Sequence, residues 1–192
     1  MKNVVSLNTQ KGFTAGELVI TLLIIGILSA GVFLVSQGLF GQATSKVQAD
    51  FEISCVNNMK RVYGNNPNYT GLSETEVAQG KLCPEAMVNA AGDGLVNQWG
   101  GTVTVAPLDA TANVDKVSFE TNDVDGGACS NYVSAIAMMA RGVAVDGGSG
   151  YTWVKDYDAF DGTVINDLQE ASMLAACSSG STNTVSIKTY YR

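Results

Sequence analysis

The chain has 192 residues, of which 15% are charged, and a formal net charge of −7 at pH 7. This acidic balance, without any cluster of lysine or arginine, argues against a surface that binds nucleic acid or anionic lipid headgroups. Histidine is absent, which removes the commonest general base and the commonest zinc ligand.

The first predicted element is an apolar helix. No charged residue occurs from Leu18 to Phe40, a stretch that would span roughly 35 Å as a helix, whereas the hydrocarbon core of a bilayer is about 30 Å thick. A secretory signal peptide would have a shorter apolar core followed by small residues at its cleavage site. Because this segment continues into further helix-like sequence, we predict a retained transmembrane helix. A plain membrane anchor is one reading of it.

The segment after Phe40 is predicted to continue the helix in amphipathic form. No proline precedes Pro67, so no residue in this part has to interrupt a helix. Apolar residues recur at every third or fourth position, as one face of a helix requires: Ala43, Val47, Phe51, Cys55, Met59 and Val62. We therefore predict one long helix of two halves, residues 13–40 in lipid and residues 41–64 packed on a globular domain.

A short sequence, KGFTAGE at residues 11–17, precedes the apolar run. A basic leader ends at Gly12, Phe13 follows, and Glu17 comes four residues later. This arrangement resembles the precursors of type IV pilins. The resemblance implies that a prepilin peptidase cuts between Gly12 and Phe13, removes residues 1–12 on the cytoplasmic side, and methylates the new amine of Phe13. It also implies that the apolar segment is kept as the core of a filament.

Features of two branches of the family, type IVa and type IVb, occur in this sequence. The sequence Ser29-Ala30-Gly31-Val32 and the absence of a proline in the helix are more similar to the type IVb branch. The short leader of 12 residues and Phe13 as the first mature residue are instead typical of the type IVa branch. We favour type IVb and leave type IVa open.

Glu17 stands out because a carboxylate beside hydrocarbon is costly and usually has a partner. One explanation is that the N-terminal end of the helix dipole partly compensates its charge. The other is intermolecular. Cleavage after Gly12 would create a positive amine on Phe13, and an ion pair between this amine and Glu17 of a neighbouring subunit would compensate both charges.

Residues 65–192 are predicted to form a globular α+β head on the helical spine, with an antiparallel sheet. Trp99 is interpreted as a core aromatic residue at the start of the sheet, and the surrounding Asn-x-Trp-Gly-Gly-x-Val sequence also resembles type IVb pilins. The predicted elements are, in chain order, a short helix over 73–80 capped by Ser73, strands over 102–105 and 116–120, helices over 128–141 and 166–177, the latter capped by Asn166, and a strand over 184–190.

The four cysteines have no CxxC spacing, which argues against a zinc site. Outside the cytoplasm their even number predicts two disulfides, for which three pairings are possible. The pilin resemblance implies a C-terminal pair that encloses a D-region. It therefore favours Cys129–Cys177 and leaves Cys55–Cys83 as the second pair.

Three aspartates, Asp156, Asp158 and Asp161, are spaced somewhat like a calcium loop, but the following glycine, Gly162, falls one place late for an EF-hand. Solvated acids in a turn are the alternative that we favour, so no metal site is predicted. No nucleophile–base pair, phosphate loop or catalytic dyad is recognisable. We therefore predict neither enzymatic activity nor a cofactor.

Together these features predict a structural protein, the major subunit of a type IV pilus. The expected partners are further copies in a helical homopolymer, the prepilin peptidase, the assembly machinery of the bacterial inner membrane, and the membrane itself before assembly. The filament would lie outside the cell. A minor pilin or a type II secretion pseudopilin is a structural alternative, and a membrane-anchored extracytoplasmic binding module is an alternative of another class.

Overall fold

The computed structural model describes residues 15–64, 68–108, 115–159, 162–178 and 184–192, with only the backbone of residues 28–40. The predicted cleavage site at Gly12 and Phe13 lies outside these residues, as does Asp161. Predictions that concern these three residues therefore stay predictions.

Helix α1, Ala15–Tyr63, begins in the first of two compact units, Met1–Phe40, and ends in the second, Gly41–Arg192. Its 49 residues fall within the stretch for which the sequence predicts one long helix. The helix stops at Gly64, whose left-handed backbone (φ 74°) glycine adopts without steric cost. Among the described residues, no helix is long and apolar enough to cross a membrane.

The second unit contains a six-stranded sheet in which every neighbouring pair of strands is antiparallel. The strands are β1 (Leu95–Val96), β2 (Thr102–Pro107), β3 (Val117–Asp125), β4 (Gly142–Asp146), β5 (Tyr151–Asp156) and β6 (Thr184–Tyr191). Their spatial order is β1-β2-β3-β6-β4-β5, so the C-terminal strand β6 lies at the centre between β3 and β4. The predicted α+β class with an antiparallel sheet is confirmed.

Three strands, β2, β3 and β6, lie where alternation of apolar and polar residues predicts them. In β2, for example, the exposed Thr102 and Thr104 alternate with the buried Val103 and Val105. Strands β4 and β5 were not predicted. Four of the five residues of β4 are buried, so the strand has no alternation to recognise.

Three shorter helices accompany the sheet: α2 (Glu74–Gln79), α3 (Gly126–Ala137) and α4 (Glu170–Ser178). Ser73 caps α2 as predicted, and forms a capping box with Glu76. The prediction that Asn166 caps α4 is wrong, because the residues before the helix pair with β5 instead. Ile165 exchanges both backbone hydrogen bonds with Asp156, and the Gln169 N–H donates to the Val154 carbonyl at 2.8 Å.

The face of α1 that packs on the head differs from the predicted one. Of the predicted apolar face, Cys55 and Met59 are buried and Phe51 is half-buried, but Val47 and Val62 are 39% and 62% exposed. The buried face instead includes three polar residues and follows helical spacing throughout: Ser45, Gln48, Ala49, Glu52, Cys55, Val56 and Met59. The prediction considered apolar residues only, and it therefore assigned the buried face to the wrong side of helix α1.

Buried Asn97 holds the corner between β1 and β2. Its Nδ2 donates to the Asn122 carbonyl at 2.5 Å, and its Oδ1 accepts from the backbone N–H groups of Trp99 and Gly101 at 2.8 and 3.0 Å. Trp99 packs against the core as predicted, edge-on to Tyr132 with ring centroids 5.5 Å apart. Gly101 approaches β3 so closely that an added Cβ would lie 2.1 Å from the Asn122 oxygen.

We predict that Gly101→Ala lowers the free energy of unfolding by about 1–3 kcal/mol, because the new methyl group meets backbone that the Asn97 bonds hold in place. Gly41→Ala is the matched control, since a Cβ there meets no atom within 4 Å and alanine favours a helix by about 1 kcal/mol. Urea unfolding monitored by circular dichroism would measure both. Equal stability of the two variants would contradict the close approach at Gly101.

Candidate functional site

Glu17 lies in the first turn of α1, where the helix dipole favours a negative charge. The structure therefore places this sequence-predicted residue at the start of the helix that leads into the apolar segment. The Thr21 hydroxyl, one turn later, donates to the backbone carbonyls of Glu17 and Leu18 at 2.8 and 2.9 Å. The Thr21 hydroxyl thus has acceptors within the helix and leaves no unpaired donor among the apolar side chains.

The described side chains after Glu17 form an exposed apolar surface around α1. Eight of them are 51–68% exposed: Leu18, Val19, Ile20, Leu22, Leu23, Ile24, Ile25 and Ile27. Soluble monomers rarely expose contiguous apolar patches larger than a few hundred Å². An apolar surface of this kind is typical of a helix that lipid or other protein covers.

Gly26 lies in this surface, in a shallow groove whose other members are Val19, Leu22, Leu23 and Ile27. A Cβ added at Gly26 would meet no atom within 4 Å, and the same holds at Gly16. Packing among the described residues therefore does not require either glycine, although each costs a helix about 1 kcal/mol relative to alanine. Close approach of another helix would explain them, since small residues let helix backbones come together.

A cluster of hydroxyl groups holds α1 on the head through Glu52. This carboxylate is fully buried, and its Oε1 accepts hydrogen bonds from the Thr189 hydroxyl at 2.5 Å and the Tyr191 hydroxyl at 2.7 Å. The Tyr132 hydroxyl donates to Oε2. Helix α1 is thereby joined to α3 through Tyr132 and to β6 through Thr189 and Tyr191. We call these four residues the Glu52 cluster.

Sequence reasoning missed the Glu52 cluster, although one signal was present. Ser45, Gln48 and Glu52 continue the spacing of the buried face without a gap. Like Glu52, the other two find partners: the Ser45 hydroxyl donates to the Ala128 carbonyl at 3.0 Å, and Gln48 Oε1 accepts from the Gln98 N–H at 3.1 Å. Polar residues that continue the helical spacing of core residues thus indicated that part of the buried face of α1 is polar.

Two disulfides join the described cysteines, Cys55 to Cys83 and Cys129 to Cys177. The first connects α1 to the segment after α2, and the second connects α3 to α4. Each closes a loop, with sequence separations of 28 and 48 residues. The chain-entropy relation assigns such loops a stabilisation of about 4 kcal/mol each.

Two of the three aspartates of the calcium alternative, Asp156 and Asp158, have hydrogen-bond or ion-pair partners within the protein. Asp156 is fully buried and accepts a hydrogen bond from the Tyr190 hydroxyl at 2.7 Å. Asp158 forms an ion pair with Arg141 at 2.7 Å and with Lys116 at 3.6 Å, and the Arg141 hydrogen bonds lower the pKa of this carboxyl. The interpretation of Asp156 as a solvated turn acid is wrong. In the described part of the chain, no acidic or cysteine cluster could hold a metal ion.

Comparison with known proteins gives a matching family model and eleven similar chains among the solved structures, two of which are pilins described below. The family model described as PilS N terminal matches residues 44–190. A type IVb pilin from Salmonella typhi has 15% identity and a TM-score of 0.51, over 76% of this chain and 98% of that one. TcpA, a type IV pilin from the El Tor biotype of Vibrio cholerae, has 13% identity and a TM-score of 0.49, over 77% and 99%. No curated protein matches the chain.

We predict that peptide mapping without reduction recovers the linked pairs Cys55–Cys83 and Cys129–Cys177. The double variant Cys129→Ser/Cys177→Ser should lose about 4 kcal/mol of stability, because it opens the longer loop in the unfolded chain. Urea unfolding of this variant and of Cys55→Ser/Cys83→Ser would compare the two bonds. A recovered Cys55–Cys129 peptide would contradict the placement of α3 beside α4.

Proposed function

The chain belongs to the type IV pilin family, since the family model matches residues 44–190, and we propose on this basis that it is the major subunit of a type IV pilus. The pilin fold of the Salmonella typhi protein supports this proposal at the level of the head. The proposal further includes a membrane-inserted precursor, removal of residues 1–12 and assembly through the N-terminal helices.

The exposed apolar surface between Leu18 and Ile27 is the single observation that carries the assembly proposal. It surrounds the helix, and so it would suit lipid in the precursor and neighbouring copies of the same helix in a filament. Gly26 favours neighbouring copies of the helix in particular, because the space beside its Cα would admit another helix backbone. In this proposal the inner membrane holds the precursor, and the assembly machinery transfers it to the filament.

Within the family we favour the type IVb branch. The Ser29–Val32 sequence supports this assignment, as does the helix without proline. The Salmonella typhi protein with a similar head is itself a type IVb pilin.

For Glu17 we propose an ion pair with the methylated Phe13 amine of a neighbouring subunit. Its position in the first turn of α1 supports this role, since it lies close in sequence to the new N-terminus. In an apolar filament core, the loss of one partner from a buried pair costs about 3–5 kcal/mol. The pair would therefore fix the stagger between subunits as well as compensate two charges.

The mature subunit is predicted to begin at Phe13 and to carry one methyl group on its amine. Intact-mass analysis of purified filaments would measure the subunit directly. The same preparation separates a major from a minor subunit, because a major pilin dominates the filament by mass. A subunit that begins at any other residue would contradict the proposed cleavage.

Glu17→Gln is predicted to abolish or sharply reduce filaments, while membrane insertion and leader cleavage continue. Asp50→Asn is the matched control, because it removes one carboxylate from an exposed position of the same helix. Electron microscopy and the sheared surface fraction, at equal cellular levels of the protein, would measure assembly. Normal piliation of the Glu17→Gln strain would show that Glu17 only complements its own helix dipole.

A further inference from the structure

The Glu52 cluster is unusual because a fully buried carboxylate has only neutral partners. Tyr132, Thr189 and Tyr191 donate hydroxyl hydrogen bonds to it, and none of the ion pairs among the described residues includes Glu52. Carboxylates that are buried in proteins are normally paired with a cation. Among the described residues, the charged form of Glu52 is therefore stabilised by three hydroxyl groups and by no cation.

Burial and hydrogen bonding act on this carboxyl in opposite directions. Burial disfavours the charged form and is the larger effect, so the pKa of Glu52 is raised above its ordinary value, although the hydroxyls of Thr189, Tyr132 and Tyr191 lower it in part. The titratable groups that face it are Tyr132 on α3 and Tyr191 on β6. Burial raises the pKa of both phenols well above the ordinary value, so they remain neutral donors where Glu52 titrates.

The other neighbours carry no charge. Thr189 on β6 and Gln48, one turn before Glu52 on α1, do not titrate, and Thr121 on β3 contacts the Tyr132 hydroxyl at 3.3 Å. Glu52 is thus the member of the cluster whose ordinary pKa lies in the acidic range, and burial raises this pKa in the folded chain.

We propose that Glu52 is a proton-linked clamp, which holds helix α1 on strand β6 and helix α3 more firmly when it is protonated than when it is charged. The elements that it joins include the central strand of the sheet and the helix that carries Cys129. A change in its protonation would therefore act on the middle of the head. The clamp is a property of the single chain and is independent of filament assembly.

The direction of the pH effect follows from linkage. Below the ordinary pKa of a glutamate, both the folded and the unfolded chain hold the proton, and the full stability is present. As the pH rises, the unfolded chain releases its proton first, because only the folded chain has the raised pKa. The stability contributed by Glu52 then falls until the pH passes the folded pKa, above which it stays constant.

Trp99 provides a reporter for this clamp, since its ring packs against Tyr132. The chain has two tryptophans, so a Trp153→Phe background leaves Trp99 as the single fluorophore. Urea unfolding of the full-length protein in detergent micelles, followed by Trp99 fluorescence over a series of pH values, would compare Glu52 with Glu52→Gln. Glutamine has a similar shape and is neutral at every pH.

Relative to Glu52→Gln, the unfolding constant of the Glu52 protein should rise with pH, by up to about tenfold for each pH unit within the window between the two pKa values. Asp50→Asn removes an exposed carboxylate two residues away and should follow the Glu52 protein. Tyr191→Phe removes one donor from the charged form, so it should extend the window to higher pH.

Parallel pH profiles of the Glu52 protein and Glu52→Gln would overturn the proposal. A relative stability that rises with pH would also overturn it, because the hydroxyl donors would then outweigh burial. If Glu52→Gln fails to fold, the comparison of Tyr191→Phe with the Glu52 protein decides. An upward shift of the pH range over which the unfolding constant changes supports the clamp. An unchanged pH range overturns it.

Discussion

The burial of one carboxylate, Glu52, is the constraint on which the architecture of the head depends. Its three hydroxyl partners come from α3 and from the last residues of β6, so the cluster joins the first helix to the end of the chain. A buried carboxyl group without hydrogen-bond partners would be destabilising in either protonation state, so the three hydroxyl groups stabilise this packing. These hydrogen bonds place Glu52 on the buried face of α1, against α3 and the end of β6.

The two disulfides reinforce the same connections. Cys55 follows Glu52 by three residues on α1, and Cys129 precedes Tyr132 by three residues on α3, so each bond starts about one helical turn from a member of the Glu52 cluster. The covalent bonds restrict the unfolded chain, whereas the hydrogen bonds select one packing of the folded chain. Helices α1 and α3 are thus each held by a disulfide and by hydrogen bonds of the Glu52 cluster, about one helical turn apart.

The two parts of α1 have surfaces of opposite character. In the second unit, the helix turns its polar residues Ser45, Gln48 and Glu52 toward the head and leaves Val47 and Val62 exposed. In the first unit, the described side chains after Glu17 are apolar on every side except at Thr21 and Gly26. The exterior of the helix is therefore apolar in the first unit, whereas in the second unit it is mostly polar or charged, as at Lys46, Asp50 and Lys60.

Sequence alone determined the features that local pattern encodes. The motif from Gly12 to Glu17 indicated the pilin family, the unbroken spacing of α1 indicated one long helix, and alternation located β2, β3 and β6. These signals lie within a few neighbouring residues, so they need no knowledge of the fold. Ser73 was recognised as a cap for the same reason, because serine directly before a helix is a local signal.

Only the tertiary structure decided which face of α1 is buried, because Glu52 becomes acceptable in the interior through Thr189 and Tyr191, more than 130 residues later in the chain. It likewise decided that Asp156 is buried beneath Tyr190, and that the residues before α4 pair with β5 and delay the start of that helix. In each case a long-range hydrogen bond outweighs the local preference, since an unpaired polar group in the interior costs more than a lost cap or turn.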